Sequence, residues 1–327
     1  MYIPVIRKIN YRKEVFIERS LPKAGEITVE VGSKVEPSQK IGSTKISYEV
    51  VRLGEKFKPN NKVNTSRSVE AEVLLGKIKS KKFTTPFKGS LIQDKEGVYF
   101  FKSVEQDYWL LPGVWGEVTD VKKNLGVLLK TQTKDINLIA STRGFVSGEL
   151  IVFPNPTELL EINYLDKYMK SASGKIIYVG HSISEGILKR AKELNVGALL
   201  AGSAHREMFS QAYKSGLNLG IVSGFGIMPT PEEVYFALND VAHRFVFFYG
   251  EQGRLSIPIP SEEEFPLSEK EQYFINAKEG VKVQVFTPEY YGHYGIIDSV
   301  TESSIFVKLS NNEKAVEVMS PNIFAII

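Results

Sequence analysis

Three stretches carry the residues that could do chemistry. In "VGHSIS" (179–184) His181 and Ser182 follow an apolar run, where a strand of an α/β sheet would end and where the ligand sites of such sheets gather. In "VSGFGIMPTPEE" (222–233) Ser223, Gly224 and Gly226 precede a helix start, and backbone amides there could cradle an anion. "GKIKSKKFTTPFKG" (76–89) supplies Lys77, Lys79, Lys81, Lys82, Phe83 and Lys88, the side chains of a surface that tracks a phosphate backbone. Each stretch also has a plainer account. Ser182 serves as a helix N-cap more economically than as a nucleophile. Glu232 and Glu233 repel an anion at the 231 helix, and neither a P-loop Lys-Ser/Thr nor a full Gly-x-Gly-x-x-Gly is present. Lysines alternating along a strand share one face, and on an edge strand they guard against aggregation.

Composition removes several chemistries. The 327 residues contain no cysteine, which excludes disulfides, thiol nucleophiles and thiolate metal sites and fits a reducing compartment. The four histidines, His181, His205, His243 and His293, show no metal-ligand spacing. Nothing pairs Glu185, Glu207 or Asp240 with any of them, so neither a metal nor a cofactor is expected. The chain opens on "MYIPVIRKINYRKEVF", without the apolar core of a signal peptide, and its apolar runs fall well short of the roughly 20 residues that span a bilayer. A soluble, cytoplasmic protein is expected. The net charge of +3 hides an asymmetry. Residues 1–150 hold 26 Lys and Arg against 17 Asp and Glu, and the remainder 15 against 21, so a polyanionic partner should meet the first half.

The first 150 residues read as short strands broken by glycine. "GEITVEVGSKVEPSQKIG" (25–42) alternates apolar and polar residues, turns at Gly32-Ser33 and resumes. "TPFKGSLIQ" and "LPGVWGEVTDV" repeat the logic. The segment 25–42 resembles the second half of a biotin/lipoyl-type hammerhead, and "TTPFKGSL" is similar to the strand that accompanies it. The resemblance implies a barrel-sandwich hybrid over 1–155. Carrier domains of that family present their modified lysine as Met-Lys-Met or Asp-Lys-Ala. Lys45, Lys56, Lys62 and Lys77 lack those neighbours, so a docking module rather than a swinging arm is implied.

The middle of the chain changes period. Ile176 to Val179 is a continuous apolar run, the mark of a strand buried on both faces. Ser182 and Glu185 fit a capping box, Ile187, Leu188, Ala191 and Leu194 follow at helical spacing, and Asn195-Val196-Gly197 closes the helix. "ALLAG" supplies a second strand, parallel to the first across a right-handed crossover. Leu219 to Val222, a glycine loop and a helix opened by Thr230 as N-cap with Pro231 at N1 repeat the plan, and "HRFVFFYG" adds a strand. A small parallel α/β domain over 156–260 is expected, followed by an acidic linker at 261–275.

The last stretch returns to β pattern. "PEYYGHYGIIDSV" (288–300) gathers Tyr290, Tyr291, Gly292, His293, Tyr294 and Gly295 in one loop after "GVKVQVF". Gly292 would hold the loop and Gly295 admit the close approach of the next strand. The pattern resembles the KOW motif of small SH3-like barrels of ribosomal and transcription factors, and implies such a barrel over 276–327. Members of that family bind RNA or protein. Residues 280–327 hold three lysines against five acidic side chains, so protein docking fits better than phosphate contact. The plainer account is that the tyrosines pack and His293 is exposed.

The fold expected is therefore multidomain β plus α/β, an order similar to that of uncharacterised bacterial multidomain proteins, which implies no activity. The function expected is a non-enzymatic binding or scaffold protein docking on nucleic acid or a nucleoprotein or protein machine. The alternative is a small-molecule-binding or catalytic α/β domain with β modules appended.

Overall fold

The structure, a computed structural model, describes residues 1–60, 68–153, 172–260, 273–310 and 314–327. It is rich in β-strands arranged in several sheets, with three α-helices among the described residues. The chain forms two compact units, one of Met1–Val15, Gly113–Gly116 and Thr131–Ile327, the other of Phe16–Pro112 and Glu117–Lys130. Most of the acidic stretch 261–275 lies outside the described residues. No helix among the described residues is long and apolar enough to cross a membrane.

The first unit contains a mixed sheet. Its strands run in the order Ala140–Ser141, Asn218–Phe225, Ala198–Ala204, Ile176–Tyr178, Phe145–Val152, Phe245–Tyr249, Arg254–Ile259 and the 131–137 part of Gly126–Asn137. The four strands from Asn218–Phe225 to Phe145–Val152 are parallel, and the flanking ones antiparallel. Successive residues of a strand point to opposite faces. Ile177, Leu199, Leu219 and Ile221 accordingly meet Ile187, Leu188, Ala191 and Ala212 of helices Glu185–Glu193 and Arg206–Ser215. Ile176, Tyr178, Leu200 and Val222 meet Val234, Ala237 and Leu238 of helix Glu232–Asn239. Burial on both faces is why these strands read as continuous apolar runs.

Residues 131–152 carry the same alternating signal as the β-rich first half, yet their strands extend this α/β sheet. Two helix starts also differ from the sequence expectation. Ser184, whose Oγ accepts from the Ile187 amide, is the N-cap of the first helix. Ser182 belongs to a short strand, Ser182–Ile183, paired with Ser203 and Ala204. Pro231 is the N-cap of the third helix in place of Thr230. The closing of the first helix follows expectation, with Asn195 at φ 52°.

A second sheet of the same unit runs Phe274–Asn276, Tyr2–Ile6, Ile323–Ile326, Lys282–Val285, Tyr294–Val300, Ile305–Leu309 and Ala315–Val318. Tyr2–Ile6 is an interior strand, parallel to Ile323–Ile326 and antiparallel to Phe274–Asn276. Ile3, Val283, Val285, Ile297, Ile305, Val307, Ile323 and Ala325 form its core.

The other unit is built of short strands in three-stranded sheets. One runs Gly89–Gln93, Tyr99–Ser103, Val50–Gly54; a second Gln106–Leu110, Gly42–Ile46, Glu26–Ile27; a third Phe57–Pro59, Leu74–Ile78, Lys81–Thr84. Leu53, Phe57, Leu75, Leu91 and Phe101 make a core shared by the first and third of these.

Candidate functional site

The parallel strands bring "VGHSIS" and "VSGFGIMPTPEE" to one end of the α/β sheet, as the sequence expects. Several polar groups at this end hold the 226–231 loop. Ser203 Oγ donates to His181 O at 2.9 Å and accepts from the Met228 amide at 2.9 Å. Ser223 Oγ donates to Pro229 O at 2.6 Å. Tyr178, fully buried, donates its hydroxyl to Thr230 Oγ1 at 2.7 Å, which explains why Thr230 is not the cap. The Gly226 amide donates to Ala204 O and is not available to an anion.

The small β-sheet then closes over that loop. Tyr294 donates to Ser223 Oγ at 2.9 Å. Burial pushes its phenol pKa up, so it remains a donor. Gln284, with no exposed surface, donates to Gly292 O at 3.1 Å and lies 3.9 Å from the Met228 sulfur. Gly292 has φ 80°, and a Cβ there would come within 2.4 Å of the Met228 side chain, so only glycine fits. Gly295 admits the neighbouring strand as expected, since a Cβ would sit 2.6 Å from Lys308 O. The three tyrosines divide. Tyr290 packs on the core of the small sheet, Tyr291 is about half exposed with its ring edge-on to Phe286, and Tyr294 makes the contact just described. His293 is half-buried, not a free loop tip.

Two groups at this end stand apart. His181 Nδ1 is buried with no hydrogen-bond partner among the described residues, and burial lowers the imidazole pKa. Lys8 is 2% exposed, and its Nζ donates to Val222 O at 2.8 Å. Burial lowers its pKa to about 8, against a partial rise from the Glu233 carboxylate. Lys8 lies far from the other site residues in sequence, and nothing local marks it.

The lysine run is a hairpin. Leu74–Ile78 and Lys81–Thr84 pair antiparallel around a turn in which Lys79 has φ 55°. Lys77, Lys79 and Lys81 therefore do not share one strand face. Lys77 instead stands opposite Lys82 on one side and Lys58 of Phe57–Pro59 on the other. Lys58, Lys77, Lys79, Lys81 and Lys82 are all exposed. Phe83 turns inward, its ring edge-on to Phe57 and Phe101. Lys88 is taken by Glu70 at 2.6 Å. Among the described residues, no group of three or more His, Asp or Glu side chains is placed to hold a metal ion.

No protein-family model matches the chain, and no curated protein matches it. Among solved structures, the solution NMR structure of a UPF0107 protein aligns with 37% of this chain and 96% of its own, at 15% identity and a TM-score of 0.25. A likeness that weak carries no argument about fold or function.

Proposed function

We propose that this is a non-enzymatic binding or scaffold protein of the cytoplasm that docks on nucleic acid or on a nucleoprotein or protein machine. The observation that carries the reading is the closure of the α/β strand ends. Where such sheets present a ligand crevice, this one has Met228 seated against Gly292, and Ser223 engaged by both Pro229 and Tyr294. Side chains so engaged position structure; they are not poised to attack a substrate. We read the second unit as a barrel-sandwich-like docking module and the 276–327 region as a KOW-like module completed by the Tyr2–Ile6 strand. The experiment is capture of partners from extract of the native host, with and without nuclease. Specific partners retained after nuclease support protein docking, partners lost support a nucleoprotein, and none in either case overturns the reading. The competing ligand-binding or catalytic reading draws on His181 and its unpartnered Nδ1. It predicts a small molecule whose binding His181→Ala abolishes.

A further inference from the structure

We propose that the outer face of the sheet formed by Phe57–Pro59, Leu74–Ile78 and Lys81–Thr84 binds the phosphate backbone of nucleic acid without reading its sequence. The proposal rests on the binding-protein reading above and names its partner. The register sets Lys58 opposite Lys77 and Lys77 opposite Lys82, so one lysine from each strand stands in a row across the sheet. Neighbouring strands lie about 4.8 Å apart, which makes the row roughly 10 Å long at its base. The opposite face carries Phe57 and Phe83 into the core, so the lysines point outward. Lys79 and Lys81 extend the positive charge at the hairpin end.

Three observations separate this row from ordinary surface lysines. None of Lys58, Lys77 and Lys82 has an ion-pair partner among the described residues, whereas Lys88 and Lys23 are held by Glu70 and Glu105. Like charges directly opposed across strands disfavour the free sheet, and a bound polyanion relieves that repulsion. Leu74–Ile78 is the central strand of the three, so protection of an exposed edge does not account for Lys77. A narrow row of point charges fits a string of phosphates better than a plane of headgroups. With Phe83 facing inward, no ring in the row is available to stack on a base, which leaves phosphate contacts and no sequence preference.

The test uses the full chain, fluorescence anisotropy with a 20-base-pair DNA duplex and a 20-nucleotide single strand of unrelated sequences, and a series of salt concentrations. The wild type should bind all sequences comparably, with affinity falling steeply as salt rises. Lys58→Gln/Lys77→Gln/Lys82→Gln should weaken binding at low salt at least tenfold and flatten the log–log salt slope by about 2–3 for the duplex. Lys23→Gln, at a lysine held by Glu105, should leave both unchanged. The triple variant should unfold at the same denaturant concentration or a higher one, which separates lost binding from lost folding. Failure of the wild type to bind at low salt, an unchanged slope in the triple variant, or binding only to vesicles rich in anionic lipid would overturn the proposal. A partner captured after nuclease treatment would keep the binding-protein reading even then.

Discussion

Tyr294 donates its phenol proton to Ser223 Oγ across 2.9 Å, joining the small β-sheet to a strand end of the α/β sheet. Ser223 passes the connection on by donating to Pro229 O. Tyr294→Phe should cost about 1 kcal/mol in denaturant unfolding. Ser223→Ala should cost about 1–3 kcal/mol, because it leaves both the Tyr294 hydroxyl and the Pro229 carbonyl unpaired. Equal, negligible effects of both would show that this link is not what holds the loop.

Met228 and Gly292 should be coupled. Met228→Ala alone should destabilise by about 2–5 kcal/mol, since the side chain is 1% exposed. Gly292→Ala alone should also destabilise, because its Cβ collides with Met228. Combined, the two should cost less than their sum, the shortened residue 228 making room while the strain of a positive φ remains. Strict additivity in a double-mutant cycle would contradict the contact.

Lys8 gives stability a pH dependence on the alkaline side. Its pKa is lowered on folding, from its ordinary value of 10.5 to about 8, chiefly by burial. Below pH 8 the lysine is charged in both states and the burial penalty is fully present. Between pH 8 and 10.5 the unfolded chain keeps a proton that the folded chain has released, so stability rises with pH. The full effect is about 3 kcal/mol. Lys8→Met should flatten that rise, read from denaturant midpoints at pH 7, 9 and 10.5. An identical rise in the variant would assign it elsewhere.

Glu149 acts on the acid side. Burial pushes its carboxyl up, but hydrogen bonds from His243 and Lys175, at 2.9 and 3.1 Å, outweigh this and hold the pKa below its ordinary value. Its contribution is present above the unfolded carboxylate range and is lost as pH falls through the lower, folded value. Lys175→Met/His243→Ala leaves burial alone acting on the carboxyl, so Glu149 should no longer contribute to the loss of stability on acidification and the acid limb should flatten. An unchanged acid limb in urea titrations would remove Glu149 from the account.

The sequence made the α/β region largely legible because its signals are local. The apolar runs at 176 and 198, the helical spacing of Ile187, Leu188 and Ala191, and the positive φ of Asn195 all follow from neighbours in the chain. Helix Arg206–Ser215 left little trace, since Ala212 is its one buried residue. Ser182 and Thr230 look like caps locally, but Ser182 pairs with a strand and Thr230 accepts from Tyr178. The lysine alternation was visible; the turn at Lys79 and the arrival of Lys58 from another strand were not. Lys8 reached the strand ends unannounced, because its environment is made by residues some 210 positions away.

The strand Tyr2–Ile6 has a kinetic consequence. It sits between Phe274–Asn276 and Ile323–Ile326, with Val5 opposite Ala325. As the chain leaves the ribosome, this apolar segment waits for partners synthesised roughly 270 to 320 residues later. The pairing of Tyr2–Ile6 with Phe274–Asn276 and Ile323–Ile326 can form only as a late step, by a slow long-range closure. Until then Tyr2–Ile6 is exposed to wrong pairings. The expectation is a slow final refolding phase that reports on the Tyr2–Ile6 strand, and chaperone dependence in cells greater than the number of residues alone would suggest.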